Sequence, residues 1–306
     1  MTQDPNPVAV RVSGEELEAG KLSQRNLETA MRALHHDGLV VLEDIFNHAN
    51  LDHLNERMVA DARKLKALED KSPYNFVRGN LQQNPPPTIE YFHKDIFLNP
   101  IVIHTTSTHL GARPRWAYSS ANTALPARDG IAPQSQPIHS DAYFAHPSHP
   151  FALVISVPLV AMTPENASTE VWLGTHEGFD ARLQEPGTAI DSAGGGVGPA
   201  RLADRRRVRP EAHPVIPKGA AVIRDIRLWH GGKPNFSSEP RVQLSMVHFA
   251  PWYRNQMRMP VVEALRGILE AESGLEIPAE YISEEEALAT YLERAFGRGY
   301  DFTQVE

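Results

Sequence analysis

Apolar residues recur along the first sixty positions in two different rhythms. From Ser23 the chain reads S-Q-R-N-L-E-T-A-M-R-A-L-H-H, which places Leu27, Met31 and Leu34 on one helical face, with Gly38 positioned to end the helix. Residues 39–43, L-V-V-L-E, form a continuous apolar run of strand type, and D-I-F-N-H-A-N-L-D-H-L-N-E-R-M returns to helical spacing. The opening is therefore helix, strand, helix. Between about 98 and 250 the pattern shortens to I-V-I-H-T-T, F-A-L-V-I-S-V-P-L-V, A-A-V-I-R-D-I and V-Q-L-S-M-V-H-F, separated by proline and glycine. Short strands in series predict a sandwich or barrel.

Two helices are expected to close the chain within 260–297: V-V-E-A-L-R-G-I-L-E-A-E, then one begun by a capping box of Ser283 and Glu286. Residues 185–213 combine glycine, proline and arginine without apolar periodicity and read as a long loop, either a lid or a solvated insertion. There is no internal repeat. A single domain over 1–306 is expected, its core at about 29–250.

Composition narrows the function. The 306 residues carry 38 acids against 30 bases, a net charge of -8, which counts against nucleic acid as a partner and favours a small molecule. With no cysteine, disulfides, thiolate metal sites and cysteine nucleophiles are excluded, so any metal must be held by nitrogen and oxygen. No apolar segment approaches the roughly 18 residues of a spanning helix, and the N-terminus lacks a signal pattern. A cytoplasmic protein without membrane contact is expected, and a homodimer is left open. The triplets at Asn166 and Asn235 are then chance matches to a glycosylation pattern.

The chemistry centres on Q-S-Q-P-I-H-S-D-A-Y, residues 134–143. In extended chain, residues two apart share a side, so His139 and Asp141 address one point. Alone this is weak evidence. A second histidine, His230, follows the apolar run at 220–226 in R-L-W-H-G-G. Two imidazoles and one carboxylate leave coordination positions open, the arrangement of non-heme Fe(II) oxygenases. A 2-oxo acid co-substrate needs a cation for its distal carboxylate, and Arg241, where the next strand begins, offers a two-pronged guanidinium.

Taken in order, A-L-H-H-D-G-L-V-V-L-E-D-I-F, Q-P-I-H-S-D, T-P-E-N-A-S-T-E-V-W-L-G-T-H, K-G-A-A-V-I-R-D-I-R-L-W-H-G-G and the later arginine resemble the phytanoyl-CoA dioxygenase family of Fe(II)/2-oxoglutarate oxygenases. The resemblance implies a mainly β fold with flanking helices around a double-stranded β-helix, or jelly-roll, core. It implies Fe(II), 2-oxoglutarate and O2, with iron ligands His139, Asp141 and His230. It further implies 2-oxoglutarate contacts from Arg241, Gln136 and Thr169. Asp141 separates the chain from related halogenases, where a small residue replaces the carboxylate. Where relatives often have a Pro-Gly-Ser-His turn, this chain has Leu173-Gly174-Thr175-His176, so His176 is expected to close a turn and not to bind metal. His146 and His149 are expected on a rim or surface loop. Tyr143, Phe144, Tyr118 and Trp229 are candidates for a substrate pocket, while Trp116 and Phe249 fit core packing equally well. Arg224 and Arg227 are expected to share a strand face.

The expected activity is oxidation of a small, largely apolar metabolite by hydroxylation, desaturation, epoxidation or rearrangement, as in tailoring enzymes of natural-product biosynthesis. The alternatives are an acyl-CoA hydroxylase of the same family, a cupin-like metal enzyme without 2-oxoglutarate, and a binding protein that has kept the fold.

Overall fold

The computed structural model describes residues 6–127, 130, 132–144, 146–178, 196–292 and 301–303. A short edge strand, β1 (Ala9–Arg11), precedes helices α1 (Gly14–Ala19) and α2 (Gln24–His36), strand β2 (Leu39–Glu43) and helix α3 (His48–Lys66). Ser13, Ser23 and Asn47 cap these helices by accepting backbone N–H bonds from their first turns. Gly38 adopts φ 72°, and a Cβ there would lie 2.5 Å from His176 Nδ1, so the helix stop is also a close approach.

Next come β3 (Tyr74–Asn75), β4 (Val77–Gln83), the short α4 (Lys94–Phe97) and α5 (Pro100–Leu110). The run I-V-I-H-T-T, expected to be a strand, lies inside α5. Asn99 caps its N-terminus, Pro100 occupies the first turn, and Thr105 Oγ1 bonds back to Ile101 O at 2.8 Å. These local signals outweigh β-branching.

The remaining strands are β5 (Arg115–Ala124), β6 (Ala152–Pro158), β7 (Glu170–Val171), β8 (Ala221–Asp225), β9 (His230–Gly231), β10 (Arg241–Phe249), β11 (Met259–Val262) and β12 (Ala279–Ile282). Eight strands form one sheet in the order β1-β2-β8-β6-β10-β5-β4-β3, antiparallel except for β1 against β2. A smaller layer is built from β7 with β9, extended by bridges of His139 with His230, Val171 with Ala212 and Met162 with Ile216. This is the mainly β, double-stranded β-helix architecture with flanking helices.

The two faces of the large sheet differ in chemistry. On β10, Val242, Leu244 and Met246 join the apolar core, which also takes Ala30, Leu34, Leu54, Met58, Ile101 and Val102 from the helices. Their alternates Arg241, Gln243 and Ser245 face a cavity between the two layers, beside Asn122, Ser120 and Tyr118 of β5. A bulge between Val247 and His248 interrupts this alternation. His248 Nδ1 pairs with Thr106 Oγ1 of α5 at 3.0 Å, and burial pushes its pKa from 6.5 down to about 3. The unfolded chain takes up that proton first, so stability present at neutral pH is lost as pH falls from about 6.5 towards 3, at up to about 1.4 kcal/mol per pH unit. His109, held at about 4 chiefly by burial, adds to the same loss. Urea midpoints measured at about pH 7 and pH 5 are expected to fall, and His248→Met to flatten that fall.

Two further expectations are corrected. Residues 185–195 lie outside the described residues, but 199–208 of the expected loop form α6 (Pro199–Val208), begun by Gly198 and Pro199. Two of its arginines and one that follows it are docked: Arg205 Nη2 donates to Leu173 O, Arg206 lies 5.0 Å over the Trp172 ring, and Arg209, just past the helix, pairs with Asp37. Cationic side chains satisfied by neighbouring acceptors had concealed a helix in an apparently featureless stretch. At the C-terminus, V-V of the first expected helix ends β11, and regular helix is confined to α7 (Arg266–Glu270). The parallel pairing of β11 with β12 takes up the backbone a longer helix would have used. Helix α8 (Glu284–Thr290) begins as expected, with Ser283 Oγ accepting from Glu286 N–H. Among the described residues no helix is long and apolar enough to cross a membrane.

Candidate metal centre

The two histidines expected to bind metal meet as directly paired residues of neighbouring strands. His139 N–H donates to His230 O and His230 N–H to His139 O, both at 2.9 Å. Such a pairing needs room, which the W-H-G-G sequence provides: a Cβ on Gly231 would lie 2.9 Å from Ile138 Cδ1, and one on Gly232 2.7 Å from Gln136 Oε1. Each imidazole is tied back through Nδ1, His139 to Pro137 O at 2.8 Å and His230 to Leu228 O at 3.0 Å. With Nδ1 donating, Nε2 of each ring carries a lone pair.

Asp141 Oδ1 lies 3.8 Å from His139 Nε2 and 3.9 Å from His230 Nε2. One ligand atom from each of the three residues falls within 4.8 Å of the others, the only such group among the described residues. Burial alone would raise the Asp141 pKa, but Arg224, His230 and His139 outweigh it and hold the carboxyl at about 2. His230 is pushed well below its ordinary value by burial, then by Arg224. At neutral pH Asp141 is thus a carboxylate and His230 a neutral imidazole. Phe76, at the strained φ of 63°, sets its ring 4.4 Å from that of His139 and covers one side.

The cavity beside this cluster has a volume of about 130 Å³. Its large-sheet wall is polar, with Asn80, Gln82, Ser120, Asn122, Gln243 and Ser245, while Leu39, Met162, Val171 and Val222 contribute apolar surface. Arg241 closes one side. Its Nη2 donates to Ala167 O at 2.6 Å and its Nε to Asn166 O at 3.3 Å, so the E-N-A-S-T segment holds the guanidinium by backbone carbonyls. Among the described residues no carboxylate pairs with it. Burial, the sole cause, pulls its pKa down to about 10. A buried cation without an acid partner is costly, and here two backbone carbonyls offset part of that cost.

Thr169 also lines the cavity. Gln136 does so too, but its amide is engaged: Oε1 accepts from Gly232 N–H at 2.8 Å, and Nε2 donates to Asn75 O at 3.2 Å. Of the pocket aromatics, Tyr118 and Tyr143 line the cavity, Tyr118 with its hydroxyl accepting from Gln82 Nε2 at 2.7 Å. Phe144 and Trp229 do not line it. Phe144 stacks on Phe302, and Trp229 packs with Trp172 and Val197, since a residue next to the inward-facing His230 on extended chain points away from it. Trp116 and Phe249 are core residues.

His176 lies outside the cluster, its Nε2 meeting His35 O of α2 at 3.1 Å, while Thr175 closes the turn onto Trp172 O. His146 is tied to Pro147 O, and His149 lies beside the exposed Trp252. Arg224 and Arg227 do not share a face. The strand ends at Asp225, and an offset of three residues reverses side, so Arg227 chelates Asp225 while Arg224 donates to Asp141. Arg224 is the site residue that sequence reasoning left unassigned; its signal was a lone cation inside A-A-V-I-R-D-I. A second, more apolar cavity of about 270 Å³ lies between residues 84–92 and the C-terminal elements, but no histidine or carboxylate lines it.

The family model described as phytanoyl-CoA dioxygenase (PhyH) matches residues 34–242. Among solved structures, the chain is similar to the epimerase SnoN in complex with Fe3+, alpha ketoglutarate and nogalamycin RO. Identity is 18%, covering 74% of this chain and 84% of that one, with a TM-score of 0.52. It is also similar to AviO1 from Streptomyces viridochromogenes Tue57, at 16% identity over 75% of this chain and 97% of that one, with a TM-score of 0.52. At these identities the likeness is one of fold.

Proposed function

The chain belongs to the phytanoyl-CoA dioxygenase family, a family of Fe(II)- and 2-oxoglutarate-dependent oxygenases, and on that premise we propose that His139, Asp141 and His230 hold its iron and Arg241 its co-substrate. The observation that carries this reading is one cavity with the three-residue cluster on one wall and a buried guanidinium without a carboxylate on another. The donor set fits Fe(II), being nitrogen and oxygen only and leaving positions free. Bound there, Fe(II) supplies oxidation by O2 coupled to conversion of 2-oxoglutarate into succinate and carbon dioxide.

The residues of this chain bind, orient and shield. Pro137 O and Leu228 O fix the imidazole tautomers. Arg241 would hold the distal carboxylate of 2-oxoglutarate, and Thr169, which lines the same cavity, would add a hydroxyl. Gln136 contributes mainly by holding Gly232 against the His139 segment.

The substrate is a small molecule. Its proposed class is a natural-product scaffold, supported by SnoN, whose structure holds nogalamycin RO beside Fe3+ and alpha ketoglutarate. The wall of amides and hydroxyls favours a scaffold that carries hydrogen-bonding groups on an apolar body, in place of a purely apolar metabolite. Gln82 Oε1 and Gln243 Oε1 are buried without a partner among the described residues. Hydroxylation, desaturation, epoxidation and rearrangement all remain outcomes of one reaction type.

Succinate formation from 2-oxoglutarate by the purified protein tests the reading. It is expected with added Fe(II) under air, to stop with a chelator, and to resume when Fe(II) is restored. Turnover that survives complete metal removal would sink it.

A further inference from the structure

The two oxygens of Asp141 are used differently. Oδ1 faces the imidazoles, 3.8 Å from His139 Nε2 and 3.9 Å from His230 Nε2. Oδ2 accepts a 2.6 Å hydrogen bond from Arg224 Nη2. Arg224 reaches it from the middle of the large sheet, where it sits opposite Leu39 on β2 and Val154 on β6.

Arg224 is 8% exposed, and its second terminal nitrogen, Nη1, is buried without a partner among the described residues. An orphaned donor on a buried cation is costly, and a Leu or Met would fill the space without that cost. Nor does metal affinity explain the residue, since a fixed cation opposes the arrival of a second one. What it does achieve is geometric. A carboxylate free to turn can grip a metal with both oxygens, whereas one held by a guanidinium at Oδ2 offers Oδ1 alone.

We propose that Arg224 is a positioning residue that keeps Asp141 a one-oxygen ligand, so that the positions needed by 2-oxoglutarate and O2 stay open. This rests on the reading of His139, Asp141 and His230 as the iron site. It separates two quantities that a merely structural arginine would move together. In Arg224→Met the Fe(II) dissociation constant holds or falls, because a second oxygen replaces a nearby cation. The 2-oxoglutarate dissociation constant rises about tenfold or more, the scale of effect seen when a supporting partner of a metal ligand is lost.

The test titrates Fe(II), then 2-oxoglutarate, into anaerobic metal-free protein, following the visible charge-transfer band of the complex. The variants are Arg224→Met, Arg224→Lys and Asp141→Ala with and without Arg224→Met; melting temperatures are recorded for all. The expected result is weaker 2-oxoglutarate binding with undiminished Fe(II) binding and a displaced band in Arg224→Met. Partial recovery is expected in Arg224→Lys, and no further displacement of the band when Arg224→Met is added to Asp141→Ala, where there is no second oxygen to release. Wild-type constants and band position in Arg224→Met overturn the role of Arg224 and leave the iron site standing. A parallel loss of both affinities with a lowered melting temperature overturns it as well, in favour of a structural arginine. A wild type that binds no Fe(II) overturns the iron site itself, and this role with it.

Discussion

Arg241→Ala is expected to raise the 2-oxoglutarate concentration for half-saturation roughly 100- to 1,000-fold, the equivalent of about 3–4 kcal/mol lost from one buried ion pair. The size follows from the isolation of the guanidinium. Among the described residues Asn166 O and Ala167 O are its hydrogen-bond partners, and its pKa is drawn down to about 10 by burial with nothing to offset it. A co-substrate carboxylate relieves that cost, so binding of 2-oxoglutarate should raise the melting temperature of the wild type far more than that of Arg241→Ala. Arg241→Lys keeps the charge but not the planar fork, and its half-saturation value should fall between the two. Steady-state succinate formation against 2-oxoglutarate concentration reads all three. Fe(II) affinity should be nearly unchanged, since among the described residues Arg241 bonds to Asn166 O and Ala167 O and to none of the three cluster residues.

The second large effect is on the metal. His139→Ala removes one nitrogen from a three-atom set and should lower both Fe(II) affinity and succinate formation by more than the roughly 100-fold associated with loss of a supporting partner. His176→Ala is the informative comparison. His176 is also a buried histidine, but it contacts His35 O and lies against Gly38, outside the cluster. It should lose stability while keeping metal affinity per folded molecule. Metal content of purified, reconstituted protein, normalised to the folded fraction, distinguishes the two.

These expectations come from residues that the sequence displays unevenly. His139, Asp141 and His230 were legible because extended-chain spacing and the W-H-G-G motif are local signals, and the glycines leave room where the 136–139 and 230–232 segments meet, since a Cβ at Gly231 or Gly232 would crowd Ile138 or Gln136. Strands β6, β8 and β10 were legible from β-branched runs between breaks. The run at 101–106 misled, since Val, Ile and Thr also populate helices when Asn99 and Pro100 start one. Helix α6 was hidden because its partners, Leu173 O, Trp172 and Asp37, are distant in sequence.

The partner of Arg224 was likewise out of reach. Periodicity reports which side a residue faces only while the strand continues, and β8 ends at Asp225, so Arg224 and Arg227 diverge to Asp141 and Asp225. Phe144 and Trp229 were sought beside the site because they lie close to it in sequence, yet Trp229 adjoins His230 on extended chain, where adjacency means opposite sides, and Phe144 stacks on Phe302. The same rule identifies the polar cavity wall: Arg241, Gln243 and Ser245 alternate with core residues on β10.

The most direct test of the account is the visible charge-transfer band of anaerobic protein given Fe(II) and 2-oxoglutarate. The band is expected in the wild type, absent in His139→Ala, and recovered in Arg241→Ala only at much higher 2-oxoglutarate. No band in iron-loaded wild type at saturating 2-oxoglutarate would contradict the assignment of this cavity to the metal and its co-substrate.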